Sequence, residues 1–299
     1  MHIVVADAGR VALKVLKKTL EDRGDRVDVF TDGLEALDFV RSTPSVDALI
    51  AGFELGSISG LELCWEVRTV SQERGPIYVI AMSSTSDERR LVEALDSGAD
   101  DFISRPAKTQ ELYARLRSAE RLAKLQNELI LLATTDPLTG LLNRRAFFEQ
   151  AKDIFKRATE RKCTMTAVML DIDHFKRVND NFGHDVGDVA LCEVAQIAQE
   201  IPETIVGRLG GEEFGIILEG IDEIQASVLA NLLRLKLEST LIDAGKQKIK
   251  LTSSFGVAQF SGEDTIDALL KKADLALYHA KDTGRNKVST FTRSYAEAV

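Results

Sequence analysis

The chain is poor in the residues that staple or export a protein. Its three cysteines, Cys64, Cys163 and Cys192, are odd in number and far apart in 299 residues, so neither a disulfide framework nor a CxxC zinc pair can be built from them. A reducing cytoplasm fits that usage. Long apolar runs are missing too: LILLA near Leu129 and IYVIAM from Ile77 fall far short of the roughly 20 residues that cross a bilayer. No membrane partner is expected. The opening MHIVVAD reaches Asp7 without a basic segment or an apolar core of signal-peptide length, so export is not expected either. Basic charge is in deficit, with 38 Lys and Arg against 47 Asp and Glu and a net charge of −9. A phosphate polymer would meet net repulsion before any local contact formed, which argues against nucleic acid as a partner. Small phosphorylated ligands stay open, because they need only a local site.

What is present is globular. Hydrophobic residues at 44% and charged residues at 28% lie near the averages of folded domains, and at about 150 residues per domain the length fits two. From His2 to Arg105, β-branched runs alternate with amphipathic stretches. HIVVA, VDVF, ALIAG, IYVIAM and DFIS read as the strands of repeated βα units, hence an α/β domain with a doubly wound, five-stranded parallel sheet. Val11, Val15, Leu16 and Leu20, and later Leu91, Ala94 and Leu95, carry the spacing that packs helices on such a sheet. From Thr109 to Thr134 there is neither Gly nor Pro, which predicts one long helix. Its stripe of Leu112, Leu116, Ala119, Leu122, Leu125, Leu129 and Leu132 either meets the same stripe of a second chain or packs on its own domain.

Beyond Asp136 a second unit begins. Helices are expected at 144–161, from Phe175, at 186–200, near 224–243 and at 265–281, with strands MTAVMLDID and IKLTSSFGVAQF. IVGRLGG and EEFGIIL read as a hairpin turning at Gly210 and Gly211. Strand, helix, hairpin, helix, strand is an α+β sandwich of the ferredoxin-like palm type. The expected division is residues 1–107, a linker helix over 108–134, and residues 135–299.

The chemistry concentrates in this second unit. MTAVMLDID ends abruptly in Asp171 and Asp173, and the glycine turn is followed by Glu212 and Glu213. If the two strands are neighbours, these carboxylates form a hard oxygen cage suited to Mg²⁺ (or Mn²⁺); otherwise the turn is a solvated hairpin. Asp173, ahead of HFKRVND, also reads as a helix N-cap. The free N–H groups of His174, Phe175 and Lys176 would then point out of a helix N-terminus beside the carboxylates, where phosphates bind. Lys281 and Arg285, four residues apart, could add fixed cations or simply complement a helix dipole.

Arg208-Leu209-Gly210-Gly211-Glu212-Glu213-Phe214 resembles the GG(D/E)EF signature of diguanylate cyclases, which condense two GTP into cyclic di-GMP. It stands in order with DPLTGLLNRR from Asp136, DIDHFKRVND from Asp171, GHDVGD from Gly183, SFGVA from Ser254 and ALYHAKDTGRN from Ala276. The resemblance implies a nucleotidyl cyclase palm and a Mg²⁺-dependent nucleotidyltransferase acting as a homodimer. It assigns the metal to Asp171, Glu213 and the backbone carbonyl of Ile172, and assistance in deprotonating the ribose 3′-OH to Glu212. Guanine would be read by Asn179 and Asp188, a carboxylate accepting the N1–H and N2–H donors that adenine lacks; retention of Asp188 also speaks against use of ATP. The triphosphate would meet Lys281, Arg285, Lys176, the amides at His174 and Phe175, and the turn Gly210–Gly211. Ile201 and Thr204 stand where members with product inhibition carry RxxD, so no inhibitory site of that kind is expected. The rival reading is a catalytically silent regulator that binds GTP or cyclic di-GMP.

The first unit resembles a response-regulator receiver domain, through its five βα units, SGLELCWEVR from Ser59 and SGADDFISRP from Ser97. Its reactive positions differ. Gly52 occupies the phospho-acceptor position, Ala6 and Asp7 the acidic pair, Ala81 the hydroxyl position and Arg105 the lysine position. Asp7 and Glu54 could hold a cation or be plain surface acids. The resemblance thus implies a degenerate, pseudo-receiver unit that dimerises or binds a protein partner without phosphotransfer.

Overall fold

The alternation at the start of the chain folds as five βα steps. The computed structural model describes residues 1–84, 88–202, 204–245, 247–262 and 265–292, and the chain divides into two units, Met1–Leu129 and Ile130–Val299. The first unit runs β1 (His2–Ala6), α1 (Arg10–Asp22), β2 (Arg26–Phe30), α2 (Gly33–Ser42), β3 (Ala48–Gly52), α3 (Gly60–Arg74), β4 (Tyr78–Ser83), α4 (Glu88–Asp96), β5 (Asp101–Ser104) and into α5 (Thr109–Thr134). The strands are all parallel in the order β2-β1-β3-β4-β5. β1 and β3 are buried throughout, which explains their unbroken apolar runs: helices cover both faces of the sheet.

Two helix faces differ from expectation. α1 buries Leu13, Leu16 and Leu20 while Val11 and Val15 face outward, and α4 buries Ala94 but leaves Leu91 and Leu95 exposed. Apolar residues at three and four spacing occur on more than one face of these helices, so periodicity could not choose which side meets the sheet. α5 has the limits its composition predicts, and packing on its own domain accounts for only the first part of its stripe. Leu112, Leu116 and Ala119 are buried, whereas Leu122, Leu125, Leu129 and Leu132 are exposed.

The end of β3 is closed to any side chain. Asp7, fully buried at the end of β1, accepts a hydrogen bond from Gly9 N at 2.7 Å and is ion-paired with Arg105. A Cβ on Gly52 would lie 2.6 Å from Arg105 Nη2 and 2.9 Å from Asp7 Oδ2. Asp7 is therefore neither a surface acid nor an open cation ligand, because a guanidinium already neutralises it. Glu54 does lie at the surface, 4.0 Å from Arg90. Gly52→Ala should cost roughly 1–3 kcal/mol by prying the half-buried Arg105 from the buried Asp7. An unchanged melting curve would show that Arg105 swings away freely.

The second unit follows as β6 (Leu142–Asn143), α6 (Arg144–Arg161), β7 (Met165–Ile172), α7 (Phe175–Phe182), α8 (His184–Ala198), β8 (Thr204–Gly210), β9 (Glu213–Glu219), α9 (Glu223–Ser239), β10 (Ile242–Asp243), β11 (Lys248–Ile249), β12 (Ser253–Gln259), α10 (Ile266–Asp282) and β13 (Val288–Thr290). Its main sheet has the order β13-β12-β7-β9-β8-β6. The central four strands are antiparallel, giving the expected palm. α9 stops at Ser239, short of the expected Asp243, because Thr240 is extended and Ile242–Asp243 pairs with Lys248–Ile249. The expected strand IKLTSSFGVAQF is accordingly divided between β11 and β12.

Strand alternation sorts the core into two layers. Val168, Leu170 and Phe214 pack with α8 and α9, while Ala167, Met169 and Ile217 pack with α6 and α10. Gly207 and Gly215 are paired across β8 and β9. A Cβ on either would come within 2.7 Å of the buried Phe147 side chain, so the two glycines make a flat seat for α6.

Candidate active site

The same alternation puts two carboxylates together. Asp171 at the end of β7 is the direct register partner of Glu213 at the start of β9. Both follow the parity of Met169 and Gly215, on the layer facing α6 and α10. The hairpin tip between β8 and β9 turns on Gly210 and Gly211, and Gly211 has φ 53°, a left-handed conformation that glycine adopts without a Cβ penalty. No atom lies within 4 Å of where a Cβ on either glycine would sit, so the tip is open. Ile172 N donates to Glu212 O at 3.4 Å, which joins the strand end to the tip.

Arg208 anchors this turn. Its Nε and Nη2 donate to Gly211 O at 2.9 and 2.8 Å, and its Nη1 is 3.1 Å from Asp136 Oδ1. Burial works against charge on Asp136, but the Thr139 hydroxyl and amide and the Arg208 guanidinium hold its carboxyl below the usual range. In the sequence both residues are only motif letters; their tie spans 72 positions and leaves no local signal.

Asp171 is almost wholly buried. Burial pushes its carboxyl up to about 6; Lys281 opposes that shift, and the charges of Glu212 and Glu213 add to it. Lys281 Nζ, from α10, lies 2.7 Å from Asp171 Oδ2, so the cation foreseen for the phosphates sits on the carboxylate itself. Three clustered acids with a single ammonium leave negative charge in surplus. Among the described residues no group of three or more His, Cys, Asp or Glu side chains converges to hold a metal unaided. That donor set fits Mg²⁺ or Mn²⁺, hard ions of which Mg²⁺ takes one or two carboxylates and completes its shell with water and substrate phosphate.

Asp173 does not cap α7. The N-cap is His174 at φ 57° with no side-chain cap bond, so the first-turn amides of Phe175 and Lys176 stay clear of a capping side chain. The Asp173 carboxylate instead accepts from Thr252 Oγ1 at 2.7 Å, Ser254 Oγ at 2.6 Å and Asn286 N at 3.0 Å. Three tertiary donors outcompete one local cap.

Asn179 of α7 and Asp188 of α8 are brought near one another by Gly187. Asn179 Oδ1 is buried without a hydrogen-bond partner, and a Cβ on Gly187 would lie 1.9 Å from it. A buried carboxamide oxygen left unpaired is costly unless a ligand donor reaches it. Asp188, the residue after Gly187 on α8, is exposed. Arg285 is exposed beyond α10 at φ 62°, and no contact joins it to Asp171. Ile201 and Thr204 line a cavity of about 500 Å³ with Leu141, Leu142 and Val206, where the Thr204 hydroxyl is spent on Ile201 O.

Comparison with known proteins places both units in families. The model of the family described as diguanylate cyclase, GGDEF domain, matches residues 133–287, and that of the response regulator receiver domain matches residues 3–117. Response regulator PleD of Caulobacter vibrioides is 37% identical over 255 residues, 81% of this chain and 56% of that protein. The structure of the coiled coil and GGDEF domain of DgcB from Caulobacter crescentus in complex with c-di-GMP matches with TM-score 0.56 and 31% identity, over 60% of this chain and 98% of that one. Diguanylate cyclase SiaD in complex with its activator SiaC, from Pseudomonas aeruginosa, matches with TM-score 0.51 and 32% identity, over 60% and 72%. The chain spans about half the length of the curated relative PleD.

Proposed function

Because this chain belongs to the GGDEF diguanylate cyclase family and carries a receiver domain ahead of it, we propose that it condenses two GTP into cyclic di-GMP and two pyrophosphates. The observation that carries this reading is the cross-strand pairing of Asp171 with Glu213 beside the open Gly210–Gly211 turn. In each half-reaction the ribose 3′-oxygen of one GTP forms a bond to the α-phosphorus of the other. The bond from that phosphorus to the bridging oxygen breaks, and pyrophosphate leaves with the electron pair. Glu212 takes the 3′-hydroxyl proton. Asp171, Glu213 and the Ile172 carbonyl would hold a divalent ion, which when bound would supply positive charge against that developing on the phosphate oxygens.

Binding follows from the remaining groups. Asn179 and Asp188 read guanine, the partnerless Asn179 Oδ1 being the buried acceptor that a base N–H satisfies. The amides at His174 and Phe175, with Lys176, Lys281 and Arg285, receive the triphosphate. Each palm holds one GTP, so the active unit is a homodimer. The leucines left exposed on α5 support such pairing. Gly52, closed over by Asp7 and Arg105, supports regulation through the receiver domain without phosphate on that residue, by a protein partner or by dimer geometry. No helix among the described residues is long and apolar enough to cross a membrane.

The test is incubation of the full chain with GTP and Mg²⁺, with ATP as competitor and product identification. Cyclic di-GMP, undiminished by ATP, is expected. Tight GTP or cyclic di-GMP binding with no product at any protein concentration would favour the silent regulator instead. Gly187→Ala should raise KM for GTP by about 10–100-fold by driving Asn179 from its place; an unchanged KM would remove Asn179 from guanine recognition.

A further inference from the structure

The chain after α10 runs through three consecutive residues in left-handed conformation: Gly284 at φ 119°, Arg285 at φ 62° and Asn286 at φ 45°. Non-glycine residues rarely hold such angles unless their surroundings fix them. Here the surroundings are explicit. Asn286 Oδ1 accepts from Arg234 Nη1 at 2.9 Å, its Nδ2 donates to Glu238 Oε1 at 2.9 Å, and its backbone N donates to Asp173 Oδ2 at 3.0 Å. Arg234 and Glu238, one turn apart on α9, are themselves paired at 2.9 Å. Asp173 in turn is gripped by Thr252 and Ser254 of the segment entering β12.

We propose that Asn286 is a positioning residue for the nucleotide's phosphate end: clamped between the Arg234–Glu238 pair of α9 and Asp173 beyond β7, it aims the neighbouring Arg285. This rests on the proposed function, in which Arg285 meets the triphosphate. The chemistry selects asparagine. Its carboxamide offers an acceptor to a guanidinium and a donor to a carboxylate at once, and asparagine tolerates the left-handed region better than most side chains. Aspartate could take only the bond from Arg234 and would set a second negative charge against Glu238. The Glu238 carboxyl is held below its usual range by the Asn286 bond and then by Arg234, in keeping with a formed network. Arg285 itself is tied back through its own N–H to Ala280 O at 3.0 Å. The clamp at Asn286 and the turn of α10 together fix the backbone on both sides of its side chain. α9, which contributes no substrate ligand, thereby bears on substrate affinity.

The experiment compares binding of a non-hydrolysable GTP analogue and of GMP to the full chain with Mg²⁺, alongside steady-state kinetics. For Asn286→Ala and Asn286→Asp, affinity for the triphosphate should fall about 10-fold, GMP affinity should stay within about twofold, and KM should rise with kcat little changed. Should Asn286→Ala fail to fold, Glu238→Ala and Glu238→Gln carry the test, since Gln keeps an acceptor for Asn286 Nδ2 and should rescue affinity that Ala loses. Equal loss of GTP analogue and GMP, no loss of either, or no rescue by Glu238→Gln would overturn the positioning role while leaving the cyclase reading intact. Wild-type protein that binds the triphosphate no better than GMP would sink both.

Discussion

Asp171→Asn protein will form no measurable cyclic di-GMP, a fall of at least about 1,000-fold, yet will melt no lower than the wild type in metal-free buffer. The two halves of that expectation share one cause. Asp171 is buried beside Glu212 and Glu213, and its carboxyl is pushed up to about 6. Holding it ionised at neutral pH without a divalent ion therefore costs on the order of 3 kcal/mol, and a neutral amide of the same shape removes that cost along with a metal ligand. The sign with pH follows. Between the unfolded value of 3.8 and the folded value of about 6 the native state binds more protons, so metal-free wild-type stability declines as pH rises through that window. The Asp171→Asn protein should lack this decline. It should also lack the rise in Tm expected of the wild type with Mg²⁺ and a GTP analogue. Calorimetry across pH together with a product assay reads all three. A variant that turns over, or whose Tm still climbs with metal and nucleotide, would remove Asp171 from the ion's ligand set.

Gly256→Ala should unfold the palm more severely than its size suggests. α10 lies directly on the β12 backbone, and the added methyl would sit 2.1 Å from both Ala273 O and Leu277 N. Those are main-chain atoms of a helix, which no rotamer change can withdraw. α10 must lift, and it takes with it the buried side chains of Leu269, Ala273 and Leu277. A loss of about 3 kcal/mol or more is expected, lowering Tm by roughly 10 °C for a unit of this size. Because Lys281 is one turn beyond Leu277, the variant should also lose the Lys281–Asp171 pair and bind GTP weakly even where it remains folded. A wild-type melting curve for Gly256→Ala would mean that the helix rides higher on the sheet than described.

The candidate site was legible in the sequence because each of its residues stands out as a type at a fixed place. Asp171 breaks an apolar run, and Gly210 and Gly211 mark a turn that few other pairs could make. Asp173 reads locally as a cap, but a cap is a local option, and local options lose when Thr252, Ser254 and Asn286 arrive from elsewhere with three donors. Strands such as β6, β10 and β13 are two or three residues long, too short for any periodicity to register. At Gly52 the sequence shows a missing carboxylate but not what replaces it, since Arg105 and Asp7 meet across 98 positions.

Hydrophobic period and turn chemistry, both local properties, were enough to determine an α/β unit followed by an α+β unit, the long helix between them in the chain and the hairpin that bears the acids. What only tertiary structure decided is register and company. Pairing of β7 with β9 makes neighbours of Asp171 and Glu213, and packing of α9 and α10 on the sheet brings Lys281, Arg234, Glu238 and Asn286 to their partners. Short-range propensity is blind to such contacts, because their energy exists only once distant segments have been buried against one another.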